Sequence, residues 1–192
     1  MDDDRARAIY SLALDQSAEL DRPELIWKAS IDFEFENGDY DRVRELYEQL
    51  LEHTEHHLKV WVSYATMEAG LQHVQDDGDG HSMNRARAIL KRAHDHFKQS
   101  AANTERLVLL EAWRELELLH GSTEEAQKVQ ARLPRRIKKR RQVGTDDAGA
   151  ILWEEFYDYV FPEDEESASM QTRGHLKLLE LARQWKDKKG QE

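Results

Sequence analysis

Apolar and polar residues recur along the chain at helical spacing, and that pattern itself recurs at a longer period. Trp27, Ser30, Phe33 and Glu34 stand at offsets 0, +3, +6 and +7. So do Trp61, Tyr64, Met67 and Glu68, and again Leu110, Trp113, Leu116 and Glu117. At about 100° per residue these positions fall on a stripe about 120° wide, as expected for a helix with one buried face. We term these the A helices. A second pattern lies between them, at offsets 0, +3, +4 and +7: Ala6, Ile9, Tyr10 and Ala13; Val43, Leu46, Tyr47 and Leu50; Ala86, Ile89, Leu90 and Ala93. Ala126, Val129 and Leu133 repeat it more weakly, with Gln130 at the +4 place. These are the B helices. Their first positions are 37, 43 and 40 residues apart. Paired amphipathic helices at a period near 40 predict an all-α protein, an α-solenoid in which no pair buries its apolar face alone. The predicted array spans 1–134, one unpaired B helix followed by three A–B pairs. The middle unit is longer, and the extra residues map to 70–84, where Asp76, Asp77, Gly78, Asp79 and Gly80 read as an exposed loop.

The +7 position of each A helix is a glutamate: Glu34, Glu68 and Glu117. It lies beside the first position of the apolar stripe, and a buried carboxylate without a partner is too costly to keep. Arg7, Arg44 and Arg87 each follow the first B position by one residue and are the candidate partners. Pairing within or between repeats is expected to be structural.

Beyond the array, residues 135–149 read as a basic run and a hinge, the hinge lying over 142–150. Residues 150–192 read as a C-terminal helical cap. Trp153, Phe156, Tyr157, Val160 and Phe161 stand at offsets 0, +3, +4, +7 and +8, an aromatic helical stripe. Leu176, Leu179, Ala182 and Trp185 are read the same way, with a polar, mobile link over 163–172.

Composition sharpens this picture. Charged residues make up 35% of the 192 positions, against about 25% in average domains, and three Pro and nine Gly leave few helix breakers. There is no Cys, which removes thiolate zinc sites, disulfides and a cysteine nucleophile. The net charge of −11 disfavours adhesion to nucleic acid over the whole surface, though not at a local basic patch. No apolar run approaches the ~20 residues of a membrane-spanning helix.

Trp61-x-x-Tyr64-x-x-Met67-Glu68 on one helix, with Arg42-x-Arg44-x-Leu46-Tyr47 on another, resembles the HAT (half-a-TPR) repeat of RNA-processing scaffolds. The C-terminal order is more specific. The basic run is followed by Trp153-Glu154-Glu155 and Asp158-Tyr159-Val160-Phe161-Pro162-Glu163-Asp164, then by a Leu-rich segment. This is similar to the C-terminal end of the crooked-neck-like splicing factors, over nearly the whole chain. The resemblance implies a right-handed HAT solenoid, and a C-terminal fragment of a longer array. It implies a nuclear, non-enzymatic scaffold in the NineTeen-associated assembly of the spliceosome. Its partners would be other spliceosomal proteins, with small nuclear RNA or pre-mRNA as a further candidate. A scaffold of another machine, such as 3′-end cleavage and polyadenylation, is the rival within the repeat family.

Several residues carry candidate chemistry. Arg135, Arg136, Lys138, Lys139, Arg140 and Arg141 form a basic run. It could contact RNA phosphates, serve nuclear import, or fold against the acidic stretch 154–166. Six phosphate contacts to a single strand would give a log–log salt slope of roughly −4. The run holds no aromatic residue, so base stacking finds no support in it. Trp153, Phe156, Tyr157, Val160 and Phe161 could dock on a partner or fold back as the cap that terminal repeats need. Trp27, Glu34, Arg44, Tyr47, Trp61, Tyr64, Glu68, Arg87, Trp113 and Glu117 are read as structural positions of the repeat. His53, His56 and His57 are close in sequence but lack the His-Glu-x-x-His order, and they sit where a B helix should end. The loop at 76–79 lacks the other positions of a calcium-binding EF-hand. No phosphate loop, nucleophile elbow or set-apart carboxylate pair is present, so no catalytic, metal or cofactor site and no small-molecule substrate is assigned. Ile9, Tyr10 and Leu14 on the first helix form a candidate homodimer contact.

Overall fold

The computed structural model describes residues 2–16, 20–73, 81–145, 151–167 and 170. Seven helices are described: α1 (Asp2–Asp15), α2 (Pro23–Glu36), α3 (Tyr40–His53), α4 (Leu58–Gly70), α5 (His81–Gln99), α6 (Asn103–His120) and α7 (Thr123–Ala131). Two strands follow, β1 (Arg135–Thr145) and β2 (Ile151–Val160). The A helices are therefore α2, α4 and α6, and the B helices are α1, α3, α5 and α7.

Local signals set the helix ends. Pro23 opens α2, where its missing N–H costs nothing. The Asp39 carboxylate accepts from Arg42 N at 3.2 Å and caps α3. Ser122 does the same for α7, accepting from Glu125 N at 3.2 Å. Gly38, with φ of 74°, takes the left-handed turn between α2 and α3.

The described residues pack as two units divided between Gln99 and Ser100, a division that falls inside the expected array. In the first unit α1 to α5 pack in chain order, each helix against the next. Val43, Leu46, Tyr47, Leu51, Trp61, Tyr64, Ala65, Met83, Ala86, Ile89, Leu90 and Ala93 form its core. The rings of Tyr47 and Tyr64 stack 4.9 Å apart, and Tyr47 Oη pairs with Ser63 Oγ at 2.9 Å. In the second unit α6 packs on α7, with Leu109, Leu110, Trp113, Leu116, Ala126, Val129 and Phe161 buried.

The C-terminal part departs from expectation. The helix expected over 153–161 is a β-strand, paired antiparallel with the basic run. The pairing runs from Arg135 opposite Val160 to Thr145 opposite Ile151, with a bulge between Gln142 and Gly144. Residues 142–145, expected in a hinge, belong to β1. The cause is non-local. A strand with five positive residues between 136 and 141 gains more against Glu154, Glu155 and Asp158 than either segment gains as an isolated helix, because cross-strand opposite charges stabilise the ribbon. Residues 162–167 then form a short helical turn. The end of the expected insertion at 70–84 overlaps α5, which begins at His81. The loop at 76–79, the hinge at 146–150 and the segment carrying Leu176, Leu179, Ala182 and Trp185 lie outside the described residues.

Candidate functional site

The repeat glutamates carry the internal electrostatics. Glu34 is buried, and Arg7 of α1 reaches it through Nε at 3.0 Å and Nη2 at 2.8 Å. Glu68, 1% exposed, is held from two sides: Arg44 Nε of α3 lies at 2.5 Å and Arg85 Nε of α5 at 2.8 Å. One carboxylate on α4 thus ties together the B helices on either side of it. Arg85, the second partner, was not legible in the repeat spacing. Beside this network the Tyr64 hydroxyl is pushed up to about 12, by burial first and then by the charges of Glu48 and Glu68. Glu117 instead accepts from Trp113 Nε1 at 3.2 Å. Its carboxylate fills the space that a side chain at Gly121 would take. Arg87 donates to Asn84 on its own helix at 3.0 Å.

A cleft of about 510 Å³ opens between α2, α3 and α4. Trp27, Ile31, Tyr47, Leu50 and Val60 give it apolar walls. Glu24, Lys28, Asp32, His57 and Lys59 also line it, with charges of both signs. This is the shape that receives an apolar partner side chain with polar groups around it. The three histidines have local places: His53 packs on the Trp27 ring at 5.7 Å, His56 stacks on His96 at 4.7 Å, and His57 caps α4 by accepting from Lys59 N at 3.3 Å. Among the described residues no cluster of three His, Cys, Asp or Glu side chains could hold a metal.

In the second unit the ribbon is anchored by a motif whose role the sequence did not disclose. Arg106 of α6 is 1% exposed. Its guanidinium lies 3.7 Å over the Phe161 ring, bonds Asp164 Oδ2 through Nη1 at 2.6 Å, and also pairs with Glu163. Phe161-Pro162-Glu163-Asp164 therefore clamps the end of β2 onto α6. Phe161, expected on the same stripe as the other aromatics, is buried as part of this clamp. Trp153 and Tyr157 are 58% and 56% exposed. Phe156 and Val160 are half-buried.

All six cations of the basic run have partners. Lys138 pairs with Glu155 and Arg135 with Glu165. Lys139 Nζ meets Asp158 Oδ2 at 2.6 Å, Arg140 Nη2 meets Glu155 Oε1 at 3.0 Å, and Arg141 Nη2 meets Glu154 Oε2 at 2.6 Å. Arg136 lies 3.6 Å over the Tyr157 ring. Of the three sequence readings of this run, folding against the acidic stretch is the one the geometry displays. The pairing holds Asp158 and Glu155 below the ordinary carboxylate range, chiefly through Lys139 and Lys138 respectively. On α1, Ile9 is exposed as expected. Tyr10 packs against Phe33 at 5.4 Å, and Tyr10 and Leu14 are half-buried.

With this geometry in hand, the comparisons with known proteins are specific. Residues 16–149 match the model of the PRP39 C-terminal HAT repeat. The chain is 44% identical, over 99% of its length, to the pre-mRNA-splicing factor clf1 of Aspergillus fumigatus, of which it covers 28%. It is 42% identical over 96% of its length to human crooked neck-like protein 1, covering 20% of that protein. It is 40% identical over 97% of its length to the pre-mRNA-splicing factor cwf4 of Schizosaccharomyces pombe, covering 27% of it. The chain thus spans a quarter or so of the length of the curated relatives it matches.

Proposed function

The chain belongs to the HAT-repeat family, and on that premise we propose that it is a protein-docking scaffold in pre-mRNA splicing, working in the nucleus. The observation that carries the reading is the joint one: relatives named as splicing factors align with nearly the whole chain, and the helical array offers an apolar cleft. Splicing is preferred to 3′-end cleavage because those relatives bear splicing names. Other spliceosomal proteins are the expected partners.

The scaffold works by fixed geometry. Arg7–Glu34 and Arg44–Glu68–Arg85 set the register of successive helices, and the cleft between α2, α3 and α4 presents Leu50 and Val60 to a partner. Buried aromatic and aliphatic walls ringed by polar groups are where binding energy concentrates in protein interfaces. Co-purification of the tagged chain from nuclear extract treated with ribonuclease tests the reading. Splicing proteins are expected to remain bound; their complete loss would overturn it.

A further inference from the structure

Strand pairing supplies what the basic run lacks in sequence. Opposed residues of an antiparallel pair share a face, and faces alternate along each strand. The register therefore places Arg136, Lys138, Arg140 and Gln142 of β1 on one face with Tyr159, Tyr157, Glu155 and Trp153 of β2. The other face carries Arg135, Lys139 and Arg141 with Glu154 and Asp158, around half-buried Ile137, Phe156 and Val160. On the first face Trp153 and Tyr157 are both more than half exposed, and so are the side chains of Lys138 and Arg140. Two large exposed aromatics on one face with three cations form the combination that binds single strands. Three cations stand there against a single carboxylate, in a protein whose net charge is −11.

We propose that this face of the β1–β2 ribbon binds single-stranded RNA. Bases stack on Trp153, and on Tyr157 with the Arg136 guanidinium that lies over it, while Arg136, Lys138 and Arg140 hold the phosphates. Every base has a π-face, so such a platform tolerates sequence, and a guanidinium plane stacks bases as an aromatic ring does. Alternate residues on a strand are about 6.6–6.8 Å apart, which suits successive phosphates of an extended strand. Duplex RNA keeps its bases stacked internally and does not fit this mode. Glu155 is the built-in competitor: it accepts from both Lys138 and Arg140, and surface ion pairs of this kind are weak enough for a phosphate to displace.

The test is fluorescence anisotropy of a labelled uridine-rich single-stranded RNA titrated with the purified full chain at several salt concentrations. Saturable binding is expected, with a log–log salt slope near −2 for three phosphate contacts. Trp153→Ala and Tyr157→Ala should each weaken it roughly tenfold or more, while Trp153→Phe, which still stacks, should retain it. Glu155→Gln should tighten binding several-fold. Lys139→Gln, on the opposite face, should change it little. Absence of binding at low salt overturns the proposal. So does binding indifferent to Trp153→Ala, or weakened as much by Lys139→Gln as by Lys138→Gln. If the purified chain ignores RNA while Trp153→Ala sheds a protein from nuclear extract, the face is a protein-docking surface and the proposal is wrong. This assay uses no other protein, so its outcome is independent of the scaffold reading.

Discussion

At the scale of single residues, Glu68 shows how a helical repeat can keep a charge in its interior. A carboxylate 1% exposed is tolerable only because two guanidiniums from flanking helices meet it. Its arginines retain some water contact, so neutralising the carboxylate strands charges that are only partly desolvated. Glu68→Gln is expected to destabilise the first unit by about 2–3 kcal/mol, read by chemical denaturation. An unchanged midpoint would mean the pairs do not hold the helices in register. The repeat spacing foretold that these glutamates need partners, and Arg7 and Arg44 stand where it placed them. Arg85 escaped it because its side chain comes from the far neighbour, α5, and spacing within one repeat does not say which of two adjacent helices will supply a cation.

At the scale of elements, the helices were legible because each carries a stripe of period 3.6, and several also carry a cap or a breaker at an end, as Pro23, Gly38, Asp39 and Ser122 do. The ribbon was not. Trp153, Phe156, Tyr157, Val160 and Phe161 satisfy a helical stripe, and the alternation Trp153, Tyr157, Tyr159 against Phe156, Val160 satisfies a strand equally well. What decided between them was the partner strand, whose paired residues lie from six positions away at the closed end to twenty-five at the open end, and the clamp from Arg106. Complementary charge, six cations against Glu154, Glu155, Asp158 and Glu165, was the signal available in the sequence. The clamp makes its own prediction. Arg106→Leu should free the ribbon from α6, so amide exchange in β1 and β2 should accelerate while α2 to α4 keep their protection. Equal protection in the variant would show that the ribbon is held by something else. The turn after α3 makes another. His56 stacks on His96, which also meets the Phe97 ring edge-on, and burial and the His56 charge hold His96 below its ordinary 6.5. The folded state thus favours neutral His96. Its contribution to stability is complete above pH 6.5 and is lost as the pH falls through the folded value. The fall in melting temperature between pH 7.5 and 5.5 should be smaller in His96→Gln than in the parent chain, and an identical fall in both would contradict this.

At the scale of the whole molecule, the chemistry is that of surfaces. Among the described residues, buried Glu34 and Glu68 are neutralised by arginines, His53, His56 and His57 serve as packing and a cap, and the open features include a cleft on the helices and an aromatic, basic face on the ribbon. An acidic chain with a local basic face discriminates among partners by where they touch it rather than by overall attraction. The central claim is that the cleft between α2, α3 and α4 docks a splicing protein. The most direct measurement compares the tagged chain with its Val60→Glu variant in ribonuclease-treated nuclear extract, with quantitative protein identification and a matched thermal melt. Val60 lines the cleft, and a carboxylate there should abolish capture of at least one splicing protein while the fold persists. Capture of the same splicing proteins in the same amounts by a folded variant would contradict the account.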